Sequence, residues 1–212
     1  MEITWLGHAC IRLKGRDSVV LMDPCPKSTG YTIGRQAAQI VTVSHHHPDH
    51  ANLDAVTGAP RVLDAPGEYE IGGVLITGVR TFHDRQKGTE RGRNTVFLVE
   101  IDDVRICHLG DIGHAPTQEQ SEALSDIDVL LAPVGGHTTI NAEAASEIIS
   151  QLEPKLVIPI HYATEASTGP LDPLDAFIKQ MGVSAPAAQP KLTVTKTTLP
   201  AQTEIAVLDY RR

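Results

Sequence analysis

Ten histidines are spread through the 212 residues, and four of them fall in one short stretch, Ser44-His45-His46-His47-Pro48-Asp49-His50. Imidazole and carboxylate are borderline donors that suit Zn2+ first, with Mn2+ and Fe2+ compatible with the same set. In an extended chain residues i and i+2 point to one side, so His45 and His47 face one way and His46 the other. Pro48 biases His47 toward an extended backbone, which keeps that pair aligned. The chain must then turn, bringing Asp49 and His50 round beside them. Two imidazoles, then a carboxylate and another imidazole, are enough to start two adjacent divalent-metal sites. Two such ions about 3.5–4 Å apart can share a hydroxide, because bound water is acidified to a pKa of about 7. That centre attacks a carbonyl or phosphodiester without a serine or cysteine nucleophile, while the second ion stabilises the departing oxyanion. A histidine-rich turn can also be plain polar surface or an adventitious metal tract. The ordered spacing at a strand end argues for the site.

The donors need a scaffold, and the flanking sequence supplies one. Ile40–Val43 is a compact β-branched run, read as a strand buried on both faces. Strands are expected before it at Ile3–Leu6, Cys10–Leu13 and Ser18–Met22. After it come Arg61–Asp64, Glu70–Ile71, Val74–Val79, Thr95–Ile101 and Val104–Leu109, with Asp102-Asp103 as a tight turn. A helix is expected over Asn52–Val56. Beyond Gly110 helix and strand alternate. Thr117 with Gln120 caps a helix to about Leu124, Asp128–Ala132 is a strand, and Asn141 caps a helix to about Leu152. Lys155–Ile158 is a strand, and Pro170–Pro173 starts a helix ending near Gly182. Lys191–Leu199 and Thr203–Asp209 read as a closing pair of strands. Hairpins followed by helix–strand units predict an α/β layered domain over residues 1–212, two sheets between helices.

Composition narrows the function. Lys and Arg number 18 against 26 Asp and Glu, a net charge of −8. Such a chain lacks the basic footprint of a nucleic-acid binder, so a small-molecule substrate is expected and nucleic acid is not. Cys10, Cys25 and Cys107 show no paired spacing, which fits reduced thiols in the cytoplasm. The opening Met1-Glu2-Ile3-Thr4-Trp5-Leu6 has no signal-peptide pattern, and no apolar run approaches the roughly 20 residues of a membrane helix. Homo-oligomerisation stays open.

His45-x-His47-x-Asp49-His50 after a hydrophobic strand resembles the metal-binding motif of the metallo-β-lactamase fold hydrolases. Thr4-Trp5-Leu6-Gly7-His8-Ala9 and Leu21-Met22-Asp23-Pro24 resemble the opening strands of the branch that includes ascorbate-6-phosphate lactonase. Gly67-Glu68-Tyr69-Glu70, Leu109-Gly110-Asp111 and Pro159-Ile160-His161-Tyr162 resemble later landmarks of that branch. The resemblance implies a four-layer αββα sandwich and three further ligands. His83 is the candidate for the first metal beside His45 and His47. Asp111 would bridge both ions, and His161 would complete the second site with Asp49 and His50; His137 competes for that last role. Asp49, Asp111 and His161 are the expected catalytic groups. Asp23 resembles an aspartate that orients the histidine loop through hydrogen bonds, although a strand-ending turn residue would sit at the same place. The resemblance further implies hydrolysis rather than redox chemistry, since diiron relatives carry Glu where this chain has His47.

The other histidines have plainer readings. His8 sits in a strand-end turn, either supporting the ligands or simply structural, and His108, alternating with Val104 and Ile106, reads as core or interface. His114 lies on a loop as polar surface. Arg85-Gln86-Lys87-Gly88-Thr89-Glu90-Arg91-Gly92-Arg93 is a basic, glycine-containing loop in an acidic chain. It is either a solvated hairpin tip or a pocket wall whose Arg91 and Arg93 hold an anionic substrate. The sequence thus favours a dinuclear hydrolase of a small anionic ester, lactone or phosphodiester. A nuclease of the same fold and a non-catalytic, metal-stabilised protein are the competing classes.

Overall fold

A computed structural model describes residues 1–210. Two β-sheets face each other. The first has six strands in the order Leu192–Thr193, Glu2–Gly7, Cys10–Lys14, Val19–Met22, Ile40–Thr42 and Arg61–Leu63. The second has seven, in the order Glu204–Ile205, Leu156–Ile160, Val129–Pro133, Val104–His108, Arg93–Ile101, Val74–Phe82 and Gly67–Ile71. Among the described residues three α-helices follow in the C-terminal half: α1 (Gln118–Ala123), α2 (Ala142–Leu152) and α3 (Leu174–Met181).

Alternation along the strands builds the core. Ile3, Trp5, Ile11, Leu13, Val20, Met22 and Ile40 turn inward and pack with Ile76, Phe97, Val99, Val104 and Ile106 of the second sheet. The intervening Leu6, Cys10, Leu21 and Val41 turn outward, yet they are buried too, under Tyr31, Ile33 and Ala38. Both faces are therefore apolar at the middle of the first sheet, which is why its central strands Val19–Met22 and Ile40–Thr42 read as continuous hydrophobic runs. The layer over that outer face is a loop with a 3-10 turn at Lys27–Thr29 rather than an α-helix. The sandwich expected from the sequence is present, with its helices gathered beyond residue 117.

Local signals hold where the chain's own chemistry decides. Asp102 and Asp103 both adopt left-handed φ, 52° and 64°, in the two-residue turn of a hairpin. Thr117 and Gln120 form a reciprocal capping box, and the Asn141 side chain accepts from Ala144 N–H. Two expectations fail. Asn52–Val56 holds only a 3-10 turn at Leu53–Ala55, too short to satisfy an α-helix's own hydrogen bonds. The supposed closing pair does not pair with itself. Leu192–Thr193 runs antiparallel to Glu2–Gly7 in the first sheet, while Glu204–Ile205 runs parallel to Leu156–Ile160 in the second.

Candidate metal centre

Every candidate donor lies just beyond the C-terminal end of a strand. Ile40–Thr42 is held between parallel neighbours and ends one turn before the histidines. The ladder stops at Thr42, so His45–His47 occupy a bend rather than a strand, and His50 N–H donates to His47 O at 3.0 Å to close the turn. The i, i+2 pairing still holds, with the His45 and His47 rings 4.6 Å apart. His46 turns away to within 3.3 Å of Asp64, with its side chain 72% exposed.

Four further strand ends bring in His8, His83, Asp111 and His161. Asp111 Oδ2 lies 3.4 Å from His50 Nε2, 3.4 Å from His83 Nε2 and 3.5 Å from His161 Nε2. The donors fall into two compact groups: His45, His47 and His83, and then His8, Asp49, His50 and His161. Within each group the donor atoms lie within 4.8 Å of one another. Asp111 stands against members of both. The structure thus brings together all seven residues singled out as ligands. His137 lies elsewhere, 3.5 Å from Asp172.

These polar atoms are short of partners. His45 Nε2, His50 Nε2, His83 Nδ1, Asp111 Oδ1 and both ring nitrogens of His161 are buried without a hydrogen bond. Burying one such atom unpaired costs about 1–3 kcal/mol, so several together need a common partner. Divalent cations fit this donor set, since imidazole and carboxylate are their ordinary ligands.

Protonation follows burial. Desolvation lowers His45 and His161 to about 3, leaving both imidazoles neutral with lone pairs available. For His50, burial alone would lower the pKa, but Asp111 and Asp23 on either side raise it well above the ordinary value. Burial likewise pushes the Asp111 carboxyl up, and His161, His50 and His83 more than reverse this. Asp49 is also held below the ordinary carboxylate range. Burial opposes that shift, while hydrogen bonding from His8 and the nearby His50 drive it.

One buried carboxylate orients a histidine in each group. Asp23 Oδ1 accepts from Ser44 N–H at 2.7 Å, and Oδ2 accepts from Ser44 Oγ at 2.5 Å and His50 Nδ1 at 2.9 Å. Ser44 spends its single hydroxyl proton on Asp23, so its Oγ accepts from His45 Nδ1 at 2.9 Å. Each ring thus commits Nδ1 to Ser44 or Asp23 and aims Nε2 at the centre; His45 presents that nitrogen unprotonated, and His50 would do so on giving up its second proton to a metal. Asp111 has its own support. Its N–H donates to Asn94 Oδ1 at 3.0 Å, and Asn94 Nδ2 donates to Leu109 O and Thr81 Oγ1. Gly110 between them has φ +58°, and a Cβ there would lie 2.4 Å from Asn94 Oδ1. Ser44 and Asn94 escaped the sequence reading: Ser44 gave no spacing signal, and Asn94 showed only as a polar residue opening an apolar strand.

The remaining histidines are structural. His108 is buried with Nε2 donating to Ala9 O at 2.9 Å, and the His114 ring accepts from Phe82 N–H at 3.1 Å. A cavity of about 530 Å3 opens beside His45 and His47, and Arg80, Arg91 and Arg93 form part of its wall. The loop carrying Arg91 is wound around the Asp84 carboxylate. That carboxylate accepts from Gln86, Gly88, Glu90 and Arg91 N–H at 2.7, 2.9, 3.1 and 2.8 Å. Arg91 Nη1 also donates to Thr138 O at 2.9 Å. Arg80 comes from the neighbouring strand, and no sequence spacing pointed to it.

Comparison with known proteins agrees with this geometry. The family model described as the β-lactamase superfamily domain matches residues 2–161. A UPF0173 protein of Pyrococcus furiosus is 30% identical over 190 residues, covering 80% of this chain and 87% of that protein. A UPF0173 metal-dependent hydrolase of Thermoplasma volcanium is 30% identical over 193 residues, covering 77% of this chain and 84% of that protein. A crystal structure from Thermotoga maritima, described as a zinc-dependent hydrolase of the metallo-β-lactamase superfamily, superposes with a TM-score of 0.81. It is 36% identical and covers 99% of both chains. An isothiocyanate hydrolase from Delia radicum gut bacteria, at 14% identity and a TM-score of 0.70, shares the fold. With strand-end histidines and aspartates converging on one centre and these matches over most of its length, the chain belongs to the metallo-β-lactamase superfamily, in the UPF0173 family of metal-dependent hydrolases.

Proposed function

We propose that the chain is a dinuclear metal-dependent hydrolase of a small anionic ester, lactone or phosphodiester. The observation that carries this is the pair of donor groups meeting at Asp111, with polar atoms of His45, His50, His83, Asp111 and His161 buried and unpaired. His45, His47 and His83 would hold one ion, Asp49, His50 and His161 the other, and Asp111 would lie between them. Zn2+ is the ion we propose, on the imidazole and carboxylate donors and on the zinc named for the Thermotoga maritima relative; Mn2+ and Fe2+ suit the same ligands. Two divalent ions there would acidify a water and polarise the scissile bond.

The chain's own groups do the rest. Asp49 Oδ2 is engaged by His8 Nε2 at 3.2 Å, which leaves Oδ1 to take a proton from the attacking water. His161, neutral and fixed through its backbone N–H to His8 O, has one ring lone pair to offer, with Nε2 3.5 Å from Asp111 Oδ2. Arg80, Arg91 and Arg93 put three positive charges on the wall of the cavity, and Asp64 contributes one carboxylate that faces His46. That excess favours an anionic substrate, which arginines bind through paired N–H donors. The likeness of the opening motifs to the ascorbate-6-phosphate lactonase-like branch extends the proposed substrates to lactones. A cytoplasmic location is part of the same reading, and no helix among the described residues is long and apolar enough to cross a membrane.

Elemental analysis of purified protein tests the dinuclear claim, with about two ions per chain expected. A screen of lactones, thioesters and phosphodiesters with the loaded protein tests turnover. Asp111→Asn should abolish the activity found. A metal-stabilised, non-catalytic protein would instead lose melting temperature on metal removal and turn over nothing.

A further inference from the structure

The donor groups on the two sides of Asp111 are unequal. His45, His47 and His83 make three on one side. On the other, His8 joins Asp49, His50 and His161 with its donor atom inside the same 4.8 Å limit. We propose that His8 is itself a ligand of the second ion, so that protein donors fill this ion's coordination and only the first ion keeps a position open to substrate. The inference rests on the dinuclear reading above and assigns each ion a different task.

Three observations support it. First, His8 Nε2 and Asp49 Oδ2 are 3.2 Å apart. Two donors sharing one ion through bonds of about 2.0–2.2 Å stand roughly 3–3.5 Å from each other, so this separation suits a shared ion as well as a hydrogen bond. Second, the imidazole is fixed in place. His8 has a left-handed φ of 54°, disfavoured for a residue with a Cβ, and its carbonyl accepts from Trp5 Nε1 at 2.8 Å and His161 N–H at 3.0 Å. Its ring centroid lies 4.1 Å from that of His161 and 4.9 Å from that of His50. Strain of this kind persists where the surroundings over-determine a residue, and it clusters at functional positions. Third, the cavity of about 530 Å3 has His45 and His47 in its wall, while His8, Asp49, His50 and His161 lie outside that wall.

Zinc is ordinarily four-coordinate and expands to five at a reacting site, so five protein donors would close an ion whereas four would leave it one position for substrate. Counting Asp111 as shared, the second ion would have five protein donors and the first four. Substrate entering past Arg80, Arg91 and Arg93 would meet the first ion, and the second would act as a fixed charge behind it.

The test uses the metal-loaded protein and two variants. Asparagine tolerates left-handed φ, so His8→Asn removes the imidazole with little backbone cost. His8→Gln can still donate a hydrogen bond to Asp49 but is a poor ligand. Competition with a chromophoric chelator measures the affinity of each ion, and visible absorption of the Co2+-substituted protein reports its coordination. Both variants should weaken one ion by more than the roughly 10–100-fold that losing a supporting hydrogen-bond partner costs. The other ion should stay at the wild-type level, and the Co2+ spectrum of the weakened ion should change. Wild-type affinities and spectrum in His8→Gln would overturn the proposal and leave His8 as a hydrogen-bond donor to Asp49. Equal weakening of both ions would overturn it as well. If the variants fail to fold, shown by melting of the metal-free forms, the Co2+-loaded wild type decides through its paramagnetically shifted ring N–H resonances. Six ligating imidazoles are expected, and five would refute the role of His8. A wild-type stoichiometry of one ion would sink the dinuclear reading separately, before any variant is compared.

Discussion

Asp23→Asn should weaken metal binding far from any ligand substitution, by moving protons on two rings. The Asp23 side chain is 1% exposed and accepts three hydrogen bonds, from Ser44 N–H, Ser44 Oγ and His50 Nδ1. Its φ of 44° is one that asparagine also tolerates, so the backbone need not move. The amide oxygen can keep the Ser44 N–H bond. The amide NH2 then replaces the oxygen facing Ser44 Oγ and His50 Nδ1, and it can only donate. His50 must accept at Nδ1, which shifts its proton to Nε2, the atom 3.4 Å from Asp111 Oδ2. Ser44 Oγ, now receiving a proton, donates to His45 Nδ1 and moves that ring's proton to Nε2 as well. One atom-for-atom change thus blocks a donor in each group. Loss of such support costs about 10–100-fold in metal affinity, or about 1.4–2.8 kcal/mol at 1.4 kcal/mol per tenfold. The metal-free fold should lose about 1.5–3 kcal/mol, the contribution of a hydrogen bond to a charged group. Chelator competition reads the first quantity and urea unfolding of the metal-free protein the second. Asp128→Asn is the control, a buried carboxylate away from the centre that should lower stability alone. Metal affinity equal to the wild type in Asp23→Asn would refute the tautomer reasoning.

Two further outcomes follow from other parts of the structure. Arg93→Ala should raise KM for an anionic substrate about tenfold, as expected for one charge-assisted contact, while kcat and the rate on a neutral ester stay near wild type; an unchanged KM would remove this arginine from substrate binding. Asp128 joins Lys155 at 2.9 Å, Lys196 at 2.7 Å and Arg105 N–H at 3.0 Å, and although burial pushes its carboxyl up, these partners hold it below the ordinary carboxylate value. A depressed folded pKa stabilises above the unfolded value and is lost as pH falls through the folded one. Asp128→Asn should therefore cost about 1–2 kcal/mol at neutral pH, allowing for solvent around both lysines, and the gap to wild type should close as pH drops below that of the ordinary carboxylate.

The histidine bend was legible because its donors are neighbours in the chain. His45, His47, Asp49 and His50 keep their mutual geometry through bonds spanning a handful of residues, even though the strand stops at Thr42 rather than carrying them. The same holds for the Asp102-Asp103 turn and the Thr117 and Asn141 caps, where a side chain meets backbone only a few residues away. His83, Asp111 and His161 were reachable through resemblance, because each directly follows a recognisable strand.

What the sequence by itself determined is local: the apolar run Ile40–Val43 buried on both faces, the turn and capping chemistry, and a cluster of ligand-type side chains with one charge sign dominating the chain. Only the tertiary structure decided which strand ends share a centre, because sheet order depends on pairings between residues tens to hundreds of positions apart. Those pairings set His8 beside Asp49 and Asn94 beneath Asp111, and they aligned Arg80 with Arg91 and Arg93. They also split the last two strands between different sheets, where each found a free edge against an existing strand. Periodicity fixes which way a side chain points from its own strand. It carries no information about the neighbour it will meet, and a metal centre consists of such meetings.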